Sequence, residues 1–480
     1  MAAIVWFRRD LRLSDNPALE AARIAGGPVI PVFIDASHEE SPWVSGAASR
    51  WWLHHSLAAL DQSLRSRGSR LILRSGPSIR CLCELAGECG AAGIYWNRGY
   101  EPVVAARDLT VKAGLESNGL HAATFNGSLL FEPSEVRNNS GAPFRVFTPF
   151  WRACLSSLVQ PRASRRPCPA LAAPRRWPRS LALEQLQLTP VPDWAGGLRQ
   201  AWHPGEDGAR ARLKEFVLGA LSAYPGAREL PAVQGTSRLS PHLHFGEISP
   251  HAVWNGIKSA AARTDDPDLR EAGDAFLRQI GWREFACHLL AGFPDFDRDP
   301  LRSEFRGFPW RRSARDLTAW QQGQTGYPLV DAGMRELWTT GWMHNRVRMV
   351  VASFLTKDLL LHWMEGARWF WETLVDADLA NNAFGWQWTA GCGADAAPYF
   401  RIFNPVGQGE RFDPKGEYVR RWVPELAMLP TRWIHKPWQA PAAILKDSGI
   451  RLGEDYPKPI VDHTEARRRA LAAYQGLRKP

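Results

Sequence analysis

The sequence predicts an α/β N-terminal domain, a doubly wound and mostly parallel five-stranded sheet, joined to a larger all-α C-terminal domain. Three observations carry that expectation. Short apolar runs alternate with amphipathic stretches from residue 3 to about 126, strand signals stop after residue 205, and most of the 23 tryptophans stand beyond residue 280.

The five strands are expected at Ala3 to Phe7, Val29 to Ile34, Arg70 to Arg74, Gly93 to Trp96 and His121 to Phe125. Between them, Ala47 to Arg67 reads as a helix whose Trp51, Leu53, His54, Leu57, Leu60 and Leu64 share one face. Residues 130 to 200 turn rich in Pro, Arg and Ser, which marks a long connector; its basic run at 161 to 167 reads as solvated linker. Helical periodicity then runs through Gly208 to Gly219, Pro250 to Ala262, Leu269 to Leu290, Tyr327 to Thr339, Met343 to Leu360 and Trp363 to Leu374. The boundaries that follow are 1–128 for the α/β domain, 129–204 for the connector and 205–480 for the helical domain.

Composition narrows the class. At 480 residues, 45% hydrophobic and 22% charged, the chain can bury a large core, and its 36 prolines and 40 glycines imply long loops. Lysine and arginine exceed aspartate and glutamate by 59 to 49, a formal charge of +10 that favours a polyanionic partner. The seven cysteines form neither a CxxC pair nor a Cys/His ligand spacing, so no metal site or disulfide framework is indicated and a reducing compartment fits. No run approaches the ~20 apolar residues of a membrane helix, and the N-terminus enters a strand directly; a cytoplasmic protein is expected.

Two blocks carry chemistry. Gly235-Thr236-Ser237-Arg238-Leu239-Ser240-Pro241 places a glycine and small hydroxyls ahead of a proline-started helix, an arrangement that suits either a phosphate or an ordinary N-cap. Gly341-Trp342-Met343-His344-Asn345-Arg346-Val347-Arg348-Met349 is followed by Asp376-Ala377-Asp378-Leu379-Ala380-Asn381-Asn382 and Phe384-Gly385-Trp386-Gln387-Trp388. Arginines, carboxylates and amides in so apolar a setting must satisfy either one another or a polar ligand.

Taken in order with VWFRRDLRLSDNPAL, GTSRLSPHLHFGEIS, TGYPLVDAGMREL and DAAPYFRIFNP, these blocks resemble the photolyase and cryptochrome family over almost the whole chain. The resemblance implies an antenna-binding α/β domain and a helical domain that holds FAD and DNA. Matched residue by residue, it implies that Tyr224 and Thr236, Ser237, Arg238, Leu239 and Ser240 hold the flavin's phosphates and sugar. Asp376, Ala377 and Asp378 would face the isoalloxazine, Arg348 would pair with Asp376, and Asn382 would face flavin N5. An amide at that position resembles the repair enzymes, whereas plant cryptochromes carry Asp. Trp386, Trp363 and Trp310 match an electron relay from the flavin to the surface.

The implied substrate is a cyclobutane pyrimidine dimer in duplex or single-stranded DNA, swung out of the stack as enzymes that act on bases require. Trp282 and Trp388 match the pocket's aromatic walls, Met349 its floor, and Arg283, Asn345 and Arg346 neighbouring DNA contacts. Stacking walls tolerate either pyrimidine. Gln279 stands where the repair family usually has a glutamate, which puts repair yield and lesion preference in doubt, and GWMHNRVRM lacks the paired histidines of (6-4) enzymes. The α/β domain has Val103-Val104 where one subgroup holds its folate, while Ala48-Ser49-Arg50-Trp51-Trp52 resembles a branch that uses methenyltetrahydrofolate. That antenna is expected, with a deazaflavin or none left open. A monomer acting on damaged DNA, away from membranes, is the reading; the alternatives are a blue-light photoreceptor signalling through a protein partner and a nucleotide-binding protein with no DNA role.

Overall fold

The computed structural model describes residues 1–157, 170–263, 266–396 and 400–477. The basic run at 161 to 167, Cys168 and part of the DAAPYF motif lie outside the described residues. Five parallel strands form one sheet in the order β3-β2-β1-β4-β5: β1 (Ala2–Phe7), β2 (Val29–Asp35), β3 (Ile72–Ser75), β4 (Ala91–Asn97) and β5 (His121–Phe125). All six residues of β1 are buried, as expected of a central strand covered by helices on both faces. Parallel neighbours also explain why these strands read as apolar runs and not as alternating ones.

The Ala47–Arg65 helix buries Trp51, Leu57, Leu60 and Leu64 as expected, but also Trp52 and Ser56, while Leu53 and His54 are half-buried. Trp52 is the reason for the rotated face: its indole N–H donates to Glu247 at 2.9 Å, and Glu247 also binds His242 at 2.5 Å. The segment expected to be a connector runs from 129 to 204. It contains the Phe147–Ser157 helix and returns along the sheet, where the Val29 amide donates to the Ala172 carbonyl and the Leu181 amide to the Leu73 carbonyl.

The chain divides into two compact units. The first comprises Met1–Ser222, Ser237–Pro294 and Val375–Leu379, and the second Ala223–Thr236, Asp295–Leu374 and Ala380–Pro480. Beyond the sheet the chain is helical, with Glu206–Gly219, Pro250–Ala262, Pro267–Gly292, Pro328–Thr340, Asn345–Ser353, Trp363–Thr373 and Leu379–Ala390 the longer helices before residue 400. The helix expected from Met343 to Leu360 is shorter and passes into a π-helical turn, Phe354–Asp358. Leu360 follows in the left-handed region at φ +53, which periodicity cannot reveal.

Candidate functional site

In the first unit, the Pro267–Gly292 helix presents Gln279, Trp282 and Arg283 at helical spacings of three and four residues, so they share a face. Trp282 is half-buried and lies flat on Phe147, with ring centroids 3.6 Å apart and planes 10° off parallel. Gln279 is half-buried and its amide reaches the Ala275 carbonyl at only 3.4 Å, a weak bond. Arg283 is half-buried. Its guanidinium turns inward to the Ser128 carbonyl at 2.9 Å and the Glu284 carboxylate at 3.2 Å, because Glu284 is buried and needs a cation. Glu284 also accepts from the Leu130 and Phe131 amides, yet burial pushes its carboxyl up to about 7.

The same unit holds the 237–240 loop and the 376–378 turn. Arg238 has φ +51, uncommon for a residue with a side chain, and its guanidinium lies 4.5 Å above the Trp202 ring. Leu239 is buried and Ser240 exposed. At the turn, the Asp378 amide donates to the Asp376 carbonyl, Ala377 is buried, and an Asp378 carboxylate oxygen stands 3.9 Å from buried His244 Nδ1. Half-buried Arg9 pairs with Glu101, and Asp378 contributes to the field that holds Arg9 charged. Asp378 is thus within the field of Arg9 and beside the His244 ring.

The second unit carries the remaining residues. Tyr224 is buried beneath the Arg228 guanidinium, and burial pushes its phenol up to about 12. Thr236 is half-buried, and a Cβ on Gly235 would meet the Ala227 carbonyl oxygen at 2.5 Å, so the backbones approach here as only glycine allows. Asn382 donates its amide N–H to the Ala367 carbonyl at 3.0 Å. That bond fixes the side chain and leaves its carbonyl oxygen as an acceptor.

Trp363 and Trp386 are 1% and 2% exposed. Trp386 packs edge-on against Phe370 and Trp320, at 5.0 and 6.1 Å between centroids, and its buried indole N–H has no hydrogen-bond partner among the described residues. Buried tryptophans ordinarily find one. Its six-membered ring presses on the Trp363–Thr373 helix at Gly366, where a Cβ would come within 2.0 Å of Cη2. Gly366 is one turn from Trp363 on that helix. Trp310 is half-buried, with its ring centroid 4.3 Å from that of Phe308 and 5.3 Å from that of His362.

On the Asn345–Ser353 helix, Asn345 is exposed, with its amide 3.9 Å from the Met349 sulfur, and Met349 is half-buried. Arg346 lies over Phe412 and pairs with Glu229 through two nitrogens. Arg348 donates to the Met343 carbonyl at 2.8 Å. Its expected partner Asp376 belongs to the other compact unit. Trp388 is half-buried and donates to the Asp395 carbonyl at 3.2 Å.

Sequence reasoning missed three residues. Gln387 ties the Leu379–Ala390 helix to the 296–301 segment by accepting from the Leu301 amide and donating to the Phe296 and Asp299 carbonyls, and so fixes the helix between Trp386 and Trp388. Glu229 gave no signal. Gly366 did give one: a glycine inside a helix costs about 1 kcal/mol and calls for a packing reason.

The cofactor expectation and the family can now be tested by comparison. Residues 3–172 match the model of DNA photolyase and residues 276–476 that of the FAD binding domain of DNA photolyase. The chain is 52% identical over 477 residues to the deoxyribodipyrimidine photo-lyase of Agrobacterium fabrum, covering 99% of this chain and 98% of that protein. It is 44% identical to cryptochrome-2 of Arabidopsis thaliana, covering 97% of this chain and 77% of that one. Among solved structures, a bacterial class III photolyase from Agrobacterium tumefaciens superposes with a TM-score of 0.95 at 51% identity, covering 100% of this chain and 98% of that one. With both halves of the chain matched in order and the whole length covered, the protein belongs to the photolyase and cryptochrome family.

Proposed function

We propose that the protein is a deoxyribodipyrimidine photo-lyase, a carbon-carbon lyase that repairs cyclobutane pyrimidine dimers in DNA under blue light. The observation that carries this over a signalling role is Asn382, whose amide is anchored to the Ala367 carbonyl and whose oxygen is left to accept a hydrogen bond. Opposite flavin N5, an acceptor held this way retains an N–H, which the reduced ring carries. FAD held there in its reduced form would supply light-driven one-electron chemistry for ring opening, so the protein's task is placement and electrostatics. Tyr224 and residues 236 to 240 hold the phosphates and sugar, Asp376, Ala377 and Asp378 hold the isoalloxazine with Arg348 as counter-charge, and Arg9 compensates Asp378, which has the His244 ring beside it.

Trp282 and Trp388 stack the flipped dimer over Met349, with Gln279 donating to its carbonyl and Asn345 and Arg346 at the neighbouring strand. Arg283 keeps Glu284 and the 128–131 segment in place and so supports Trp282 from behind. Trp310, Trp363 and Trp386 return the flavin to its reduced form. An antenna, methenyltetrahydrofolate by the resemblance, is assigned to the α/β domain. The protein acts as a cytoplasmic monomer on damaged DNA, and no helix among the described residues is long and apolar enough to cross a membrane.

The test is light-dependent loss of dimers by pre-reduced, flavin-loaded protein, scored for cyclobutane and (6-4) lesions in duplex and single-stranded DNA. Cyclobutane repair is expected. Repair of neither lesion by fully loaded protein overturns the assignment in favour of a photoreceptor.

A further inference from the structure

His362 lies between two of the three relay tryptophans. Its ring centroid is 5.7 Å from that of Trp363, with planes 27° apart, and 5.3 Å from that of Trp310, edge-on at 65°. The imidazole cannot swing freely, because it is the N-cap of the Trp363–Thr373 helix and its Nδ1 accepts from the Met364 amide at 3.1 Å. In the neutral ring that bond leaves the proton on Nε2.

The backbone that delivers His362 is held just as firmly. Leu360, two residues earlier, sits at φ +53, where a leucine is uncommon. Its carbonyl accepts from the Arg311 amide at 2.8 Å, and Leu361 bridges Arg311, so the segment bearing Trp310 is bonded directly to the segment bearing His362. Capping a helix requires none of this. Ser, Asp and Asn cap better than His, and unusual backbone of this kind gathers at working sites.

We infer that His362 is a positioning residue of the tryptophan relay: its ring holds Trp310 edge-on and forms the tunnelling contact between Trp310 and Trp363. The inference rests on the assignment of Trp310, Trp363 and Trp386 as that relay. In the step, photoexcited oxidised flavin is the oxidant, having drawn an electron through Trp386 from Trp363. One electron then leaves Trp310 and fills the hole on Trp363. His362 is neither oxidised nor reduced, and no proton moves.

Two substitutions separate the ring from the cap. His362→Asn keeps a good N-cap and removes the ring, while His362→Phe keeps a ring and removes the cap. Transient absorption of the flavin-loaded protein reads the yield of the long-lived radical on Trp310. Thermal midpoint and near-ultraviolet circular dichroism of the same samples report stability and the setting of the indoles. His362→Asn is expected to lower the radical yield about tenfold, equivalent to about 1.4 kcal/mol on that step, with little change in midpoint. His362→Phe is expected to lower the midpoint and keep most of the radical. Wild-type radical yield in His362→Asn, or an equal loss in both variants, overturns the inference. Trp310→Phe is the control on its premise: an unchanged long-lived radical there sinks the relay assignment itself, whereas loss in Trp310→Phe without loss in His362→Asn sinks only the role of His362.

Discussion

Trp386 and Trp282 are both single tryptophans inside helices, yet the structure treats them differently. Trp386 is buried to 2% exposure, pressed on a glycine and boxed by Phe370 and Trp320, so its ring has one position. Trp282 is half-buried, stacked on Phe147 and edge-on to Phe285 at 6.0 Å between centroids. An electron relay must hold its rings at fixed separations in every state of the enzyme. A lesion wall must keep one face open until a base arrives to stack on it. The contrast teaches that residue type alone does not assign an aromatic its role; how deeply its ring is buried and held does.

The largest expected effect breaks the fixed side of the comparison. Trp386→Phe should slow photoreduction of oxidised flavin by at least about tenfold while leaving repair by pre-reduced protein nearly intact. Both are read on samples with equal flavin content, and unchanged photoreduction means the ring is only packing. Gly366→Ala should disturb the same contact from the other side. A Cβ 2.0 Å from the Trp386 ring must move it, at a cost of roughly 1–3 kcal/mol in stability. A variant with wild-type melting temperature and photoreduction would show that the ring yields easily and is not held.

The open side can be sharpened at Gln279. Gln279→Glu should change repair per absorbed photon several-fold with little effect on flavin binding, because a carboxyl in a stacking pocket can share a proton with the dimer carbonyl and an amide cannot. Equal quantum yields would place residue 279 away from the lesion.

Glu284 lies two residues beyond Trp282 on the same helix, and its pH dependence has a definite sign. A carboxyl raised from 4.5 to about 7 by burial contributes stability that is full below pH 4.5 and is lost as pH rises through 7. Glu284→Gln should therefore flatten thermal stability between pH 5 and 8, by at most about 3 kcal/mol. A wild-type profile already flat over that range would show that Arg283 and the two backbone amides keep Glu284 ionised throughout.

The smallest effect concerns Arg346, which faces Glu229 before any phosphate. Glu229→Gln should free the guanidinium and steepen the salt dependence of binding to dimer-containing DNA by up to about one unit in the log-log slope. A shallower slope would mean that Glu229 positions Arg346 for DNA instead of competing with it.

How much of this was legible in the sequence differs from element to element. The parallel sheet was plain because each buried strand is a short apolar run between helical stretches, and the Pro250–Ala262 helix appeared with both ends in place because Ser249 caps it and Pro250 opens it. Residue type and order also determined the family, and with it Asn382, the three relay tryptophans and the flavin residues as candidates. Local patterns reach only a few residues along the chain. They could not show that Trp52 would turn inward to Glu247, that Arg283 would reach the Ser128 carbonyl, or that Glu229 would meet Arg346, because each depends on a partner more than a hundred residues away. Nor could they show the left-handed Leu360 or the place of His362 between two indoles. The sequence by itself determined which chemistry the chain carries; tertiary structure decided which side chains are free to perform it and which are held to position the rest, because burial and long-range pairing, unlike propensity, are properties of the folded whole.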